Sequence, residues 1–236
     1  MQPRFRIEPS RIAIWSRGVD RARFDPARRS AAWRAAHGIE ADELAALFFG
    51  RLVREKGIAD FSAAVTRADL PGVRAVVVGD GPARGEFERL LPHAVFVGHL
   101  TGEALGEAVA SADMLLNPST TEAFGNVNLE AMAAGLAIVS ADAPSSRDLI
   151  EHGRTGLLIP PGDIAGYAAA LAQLARDAPL RGRLGEAARV ESARYDWDAA
   201  LDNVVQAYRG LLMTVRSGRV APRSRRRTVP AEWNSK

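Results

Sequence analysis

Two carboxylates eight residues apart, Glu122 and Glu130, bracket Phe124-Gly125-Asn126 and the start of a helix expected over residues 126–134. The first backbone N–H groups of such a helix face whatever lies in front of Gly125, and a helix N-terminus favours an anion, phosphate above all. An ionised carboxylate only accepts hydrogen bonds, and it can take two from the diol of a ribose or a hexose. The segment therefore reads as a sugar-nucleotide site, with the helix start for phosphate and the flanking acids for hydroxyl groups.

A second cluster, Gly50-Arg51-Leu52-Val53-Arg54-Glu55-Lys56-Gly57, offers cations for the same guest. Lys56 and Lys236 are the only lysines in a chain that otherwise uses arginine, so a compact, strongly hydrated ammonium here is a specific choice. Arg51 and Lys56 are expected where a diphosphate would lie. Other chemistries are weaker. Gly79-Asp80-Gly81-Pro82 lacks the G-x-G-x-x-G spacing of a dinucleotide site, and the following strand ends at His99 where that site has an acid. His99 reads as a satisfied rim residue, and a nicotinamide-dependent dehydrogenase is disfavoured. Asp196-Trp197-Asp198 matches a D-x-D metal motif in form, but it precedes an amphipathic pattern, where Asp serves as a helix cap and Trp197 as a core anchor. No metal and no cofactor are expected. Ser119, Ser145 and Ser146 lack a G-x-S-x-G elbow, so serine hydrolysis is unsupported.

These residues need a scaffold that brings them to one edge. From Leu47 onward, short apolar runs at 47–49, 75–78, 95–97, 114–116 and 137–139 are each followed by a helical pattern. That is βαβ periodicity, and strands buried on both faces read as continuous apolar runs. The expected fold is α/β, an open doubly wound parallel sheet of Rossmann-like type, whose ligands bind at the carboxyl ends of the strands. Gly50-Arg51, Gly79-Asp80-Gly81, Gly98-His99, Asn117-Pro118-Ser119 and Ser140-Ala141-Asp142 all fall on that rim. Leu157-Leu158-Ile159 reads as a further strand, stopped by Pro160-Pro161-Gly162-Asp163, with helices expected over 164–175, 180–191 and 197–212. Upstream, a strand is expected over 11–15, a turn at 18–20, and one helix over 26–36 that starts at Pro26 and ends at Gly38.

At 236 residues the chain suits one sizeable α/β core with appendages. It has no cysteine, which excludes disulfides and thiolate metal sites and suits a reducing cytosol. No apolar run is long enough for a membrane span, and the first residues lack the apolar core of a signal peptide. The net charge of +3 hides an asymmetry: residues 216–236 carry +6 and the rest carries −3. A mildly acidic body is a poor nucleic-acid binder. The Arg-rich tail is expected to be disordered and reads first as a solvated extension, with attraction to an anionic membrane surface as its functional reading.

With these residues assembled, the chain resembles the C-terminal, donor-binding half of a GT-B glycosyltransferase of family 4 (group 1). Residues 11–20 and Phe24-Asp25-Pro26 are similar to the family's interdomain segment, Gly50 to Gly57 to its G-R-L-x-x-x-K-G loop, and Glu122 to Glu130 to its E-x7-E motif. The variants at 15–20 and 121–126 look most like the mannosyltransferase and sulfoquinovosyl-type lipid glycosyltransferase branch. The resemblance implies an interdomain-type segment over 1–25, a nucleotide-sugar donor domain over 26–215 and a basic tail over 216–236. It implies that Arg51 and Lys56 bind the donor diphosphate and offset leaving-group charge, with Gly50 in the donor-binding set. Glu122 would contact the transferred sugar beside the backbone N–H groups of Phe124, Gly125 and Asn126. Glu130 would hold the ribose, Phe96 and Val97 would line the base, and Asn128 and Leu129 would complete the donor-binding set. The implied reaction is retaining and metal-independent, moving a hexose from a UDP- or GDP-sugar to a lipid or saccharide acceptor. The implied partner is an N-terminal acceptor domain, in cis or in trans. The implied location is the cytoplasm, peripherally at the inner face of the membrane. A nucleotide-binding half without turnover is the alternative. The chain departs from the family at Pro144-Ser145-Ser146-Arg147-Asp148, where many relatives carry a Gly-Gly pair followed by Glu.

Overall fold

The computed structural model describes residues 17–216. The strand expected over 11–15, most of the interdomain-type segment and all but the first residue of the basic tail lie outside them. The chain divides into two compact units. Residues 17–197 carry the sheet, and the described part of the other unit, from Asp198, is the remainder of one long helix, α9 (Trp197–Arg216).

Six strands form one all-parallel sheet: β1 (Leu44–Phe49), β2 (Val73–Val78), β3 (Val95–Gly98), β4 (Met114–Asn117), β5 (Ala137–Ala141) and β6 (Leu157–Ile159). Their order is β3-β2-β1-β4-β5-β6, the doubly wound, Rossmann-like arrangement expected. The chain winds outward from β1 in one direction and from β4 in the other, so the crevice beyond the ends of β1 and β4 is the switch point where such sheets bind ligands.

Both faces of the sheet are buried. Ala45, Leu47 and Phe49 of β1 enter one core with Val109, Leu129 and Met132, while Ala46 and Phe48 enter the other with Phe61, Phe87 and Tyr167. A strand with period-two side chains and two buried faces has no polar positions to spare, so it reads as an unbroken apolar run. The first core is covered by α4 (Gly102–Ala110), α5 (Asn126–Ala133) and α8 (Ala178–Ser192). The second is covered by α2 (Ile58–Ala68), α3 (Arg84–Leu90) and α7 (Ile164–Arg176). In the second core, Phe48, Phe61 and Phe87 meet edge to face at 5.1–5.7 Å between ring centres, the offset geometry that aromatic quadrupoles favour.

Two local expectations change. The single helix expected over 26–36 is a 310 turn at Pro26–Arg28 followed by α1 (Ala31–Ala36). Ser30 separates them because its Oγ accepts the Trp33 N–H at 3.0 Å, making Ser30 an N-cap. The turn expected at 18–20 falls at 21–24, and Val19 instead bridges to Asp196, its N–H donating to Tyr195 O at 2.8 Å. Helix α9 starts at Trp197, directly after Asp196 in extended backbone. No helix among the described residues is long and apolar enough to cross a membrane.

Candidate functional site

The rim is built by backbone lacing. After β1, the Gly50 N–H donates to Val78 O at 3.0 Å and the Leu52 N–H donates to Asp80 O at 2.9 Å, while the Gly79 N–H donates to Gly98 O at 2.7 Å. A Cβ on Gly79 would collide with Gly50 O, so the loops after β1 and β2 meet backbone to backbone, which only glycine permits. The first loop then makes a 310 turn, Arg54–Lys56. This aims Lys56 at the acidic loop, where its Nζ donates to Glu122 Oε1 at 2.5 Å with both side chains largely shielded. Thr121 Oγ1 donates to Glu55 O at 3.2 Å beside them. The two motif loops, some seventy residues apart in sequence, thus form one wall. Arg51 stands out from it, exposed and 4.0 Å from Glu55 Oε1. At that exposure and distance the pair holds the guanidinium only loosely.

Helix α5 opens at Gly125, whose φ of 91° lies in the left-handed region and which offers no side chain to cap the helix. The first-turn amides are therefore left for another acceptor. They face a hollow of about 310 Å³ lined by Gly50, Arg51, Lys56, Glu122, Asn126 and Val127. Two cations, a carboxylate and a helix N-terminus around one hollow suit an anion joined to a hydroxyl-bearing group. Phe124 leans edge-on against Tyr195 at 6.1 Å, fixing the loop just before the glycine.

Glu130, one turn further along α5, looks into two more hollows. One, of about 460 Å³, lies beyond β1 and β2, with Gly50, Gly79, His99, Leu100, Thr101 and Leu105 in its walls. The other, of about 340 Å³, is lined by Arg17, Asp20, Arg23, Asn126 and Trp197. Burial pushes the Glu130 carboxyl up to about 7, against the pull of the Arg23 charge. Its neighbour Asn128 faces inward instead.

Gly50, Arg51, Lys56, Glu122, Gly125, Asn126 and Glu130 accordingly gather around the first turn of α5, with Phe124 beside them. Others do not. Asn128 was expected among the donor-binding residues, but it is fully buried and its amide is spent. It accepts from Asn117 Nδ2 at 2.9 Å and donates to Ser140 Oγ at 3.1 Å and Ser146 Oγ at 3.2 Å. Leu129 lies in the core at 1% exposure, forming the floor of the Arg23 hollow. Phe96 packs on Phe87 at 5.5 Å on the opposite side of the sheet, and Val97 packs into the first core. The walls beside β3 are made by the residues after the strand, His99, Leu100 and Thr101. Of these, His99 was read only as a rim residue. Their signal was position alone, since the first residues past a parallel strand stand on the binding rim. Arg23 gave no signal, and Trp197, expected as a core anchor, is instead 43% exposed and lines the hollow with Arg23 and Glu130, residues far apart in the chain. The departure at 144–148 forms the short helix α6 (Pro144–Arg147), which delivers Ser146 to Asn128, and its Arg147 pairs with Asp142 at 2.6 Å.

Residues 30–191 match the family model of glycosyl transferases group 1. The chain is 36% identical over 202 residues to the sulfoquinovosyl transferase SQD2 of Arabidopsis thaliana, covering 83% of this chain and 39% of that protein. It is also 36% identical over 203 residues to a GDP-mannose-dependent alpha-mannosyltransferase of Mycolicibacterium smegmatis, covering 86% of this chain and 52% of the relative. The chain thus spans about half the length, or less, of these curated relatives. Among solved structures, Anabaena HepE in complex with UDP and glucose superposes with a TM-score of 0.73 at 24% identity, over 82% of this chain and 55% of that one, a likeness of fold. The G-R-L-x-x-x-K-G and E-x7-E loops share one rim of a GT-B-type sheet, and the family model covers more than half of the sequence: this chain belongs to the group 1 glycosyl transferases.

Proposed function

We propose that this chain is the donor-binding half of a retaining glycosyltransferase, moving a hexose from a UDP- or GDP-sugar to a lipid or saccharide acceptor. The carrying observation is the wall made by Lys56 and Glu122 opposite the uncapped start of α5, which puts a cation, a hydroxyl acceptor and free amides within one hollow. In this reading the diphosphate lies between Arg51, Lys56 and the α5 amides, so charge on the departing nucleoside diphosphate is offset as it develops. Glu122 accepts from the sugar hydroxyls and also fixes the lysine. Glu130 accepts from the ribose diol, and the base occupies the hollow beside His99, Leu100 and Thr101. The leaving group departs from the same face that the acceptor hydroxyl attacks, with no covalent carboxylate intermediate. Charge offset by Arg51 and Lys56 makes the step independent of a metal.

Transfer requires both reactants to be held together, and the residues above bind only one. An N-terminal acceptor domain, in cis or in trans, completes the site. The relatives support this reading by their names and by their length, about twice that of the matched region or more. A lipid acceptor and peripheral attachment at the inner face of the membrane fit the Arg-rich residues 216–236, whose charge of +6 would be drawn to anionic lipid. The test is transfer from radiolabelled UDP- or GDP-hexose to membrane lipid, with this chain alone and with the N-terminal half of a group 1 relative added. The expected result is donor binding by the chain alone and transfer only with both halves. Failure of every UDP- and GDP-hexose to bind would overturn the proposal.

A further inference from the structure

Glu130 is shared by the hollow beside His99 and by the hollow beneath it, and no hydrogen bond or ion pair to its carboxylate occurs among the described residues. The charged and titratable groups facing these hollows are Arg51, Asp80 and His99 from the rim loops, and Arg17, Asp20 and Arg23 from residues 17–24. Most are engaged elsewhere or exposed. Asp80 accepts from the Gly81 N–H, Arg51 extends beside Glu55, and Arg17 and His99 lie open to solvent. Arg23 differs. Its N–H donates to Asp20 Oδ1 at 3.0 Å, its Nη2 lies 3.3 Å from Asp20 Oδ2, and its carbonyl sits against Gly106, where a Cβ would collide with it. These contacts hold its backbone at the hollow it shares with Glu130, and its Nε is buried without a hydrogen-bond partner among the described residues. A buried, unspent donor is costly unless the site uses it.

We propose that Arg23 is a positioning residue for the nucleotide site: its guanidinium charge, in the hollow it shares with Glu130, favours the carboxylate as the hydrogen-bond acceptor that a diol requires. This rests on the assignment of Glu130 to the ribose. Asp20 has two effects, anchoring Arg23 and partly neutralising it. Removing Arg23 and neutralising Asp20 should therefore move Glu130 in opposite directions, which nonspecific damage to the fold would not do.

The test follows Glu130 in the free protein by 13C carboxyl NMR with labelled glutamate, using Glu130→Gln to identify the resonance. The titration midpoint is expected to rise in Arg23→Gln, to stay near the wild-type value in Arg23→Lys, and to fall in Asp20→Asn. UDP or GDP affinity at pH 7 should drop in Arg23→Gln, by roughly fivefold for a one-unit rise, and the deficit should close by pH 9. An unmoved midpoint in folded Arg23→Gln would overturn the proposal. So would an affinity deficit that is the same at every pH. If the midpoints move as stated but wild type binds neither UDP nor GDP, the coupling stands and the ribose assignment fails.

Discussion

At the scale of single residues, the site is governed by which charges are shielded and which are answered. Glu130 has its carboxyl raised to about 7 by burial. A diol donates to the ionised form, so nucleotide binding should release a proton, and affinity should rise with pH. At pH 6 it is expected to be roughly tenfold below its plateau above pH 8, a dependence that Glu130→Gln should remove in calorimetric titrations. The same shift has a stability consequence of defined sign. The folded value lies above the ordinary one of 4.5, so the contribution is fully present below that value and is lost as pH rises through 7. Glu130→Gln should therefore gain in melting temperature over wild type at pH 8 and not at pH 4. Lys56 makes the complementary case. A charge-assisted bond to a diphosphate contributes about 1.5–3 kcal/mol, so Lys56→Ala should weaken UDP or GDP binding by roughly ten- to hundredfold. It should leave binding of the bare nucleoside nearly unchanged, and equal loss for both would remove Lys56 from the diphosphate. That the acids and the lysine would come to one rim could be read from sequence, because they sit in two short motifs that follow parallel strands. Asn128 was misleading for a physical reason: a polar residue two positions from Glu130 looks like part of a site, and only its bonds to Asn117, Ser140 and Ser146 show that it belongs to the interior.

At the scale of elements, that buried amide joins β4, β5, α5 and α6, and so sets where the first turn of α5 stands against the rim. Asn128→Leu would strand the Nδ2 of Asn117 and take one donor from the hydroxyls of Ser140 and Ser146, which keep only each other and Asn117 O. The expected loss is about 1–3 kcal/mol of unfolding free energy in a denaturant titration, with nucleotide contacts still present in the folded fraction. Tyr167 of α7 is the counterexample. Its hydroxyl is buried with no hydrogen-bond partner among the described residues and its ionisation is driven up by burial, so Tyr167→Phe should be neutral or stabilising by up to about 1 kcal/mol. A marked destabilisation would mean that the hydroxyl is satisfied after all. The strands could be read ahead of the structure because two buried faces leave only apolar residues, and the first five expected runs all lie within strands. The segment 26–36 could not, because Pro26 and Ser30 each carry a helix-start signal and only the bond from the Trp33 N–H to Ser30 Oγ decides where the α-helix begins. The reach of β3 was misjudged similarly. Strand periodicity sends Phe96 to Phe87, leaving the rim to His99, Leu100 and Thr101.

At the scale of the whole molecule, the order β3-β2-β1-β4-β5-β6 explains why residues from Gly50 to Glu130 share one crevice. The two winding directions part between β1 and β4, and α5, which follows β4, points its uncapped start into the gap. Sequence periodicity implied a parallel sheet, and the motifs implied that its carboxyl rim holds a nucleotide. The third hollow had no such signature, because it joins residues 17–24 to α5 and Trp197. Calorimetric titration of the chain with UDP, GDP and NADH tests the donor-site reading most directly. Saturable binding of UDP or GDP, weakened by Lys56→Ala and made pH-independent by Glu130→Gln, with none of NADH, is the expected result. Binding of NADH alone, or UDP and GDP binding indifferent to both substitutions, would contradict it.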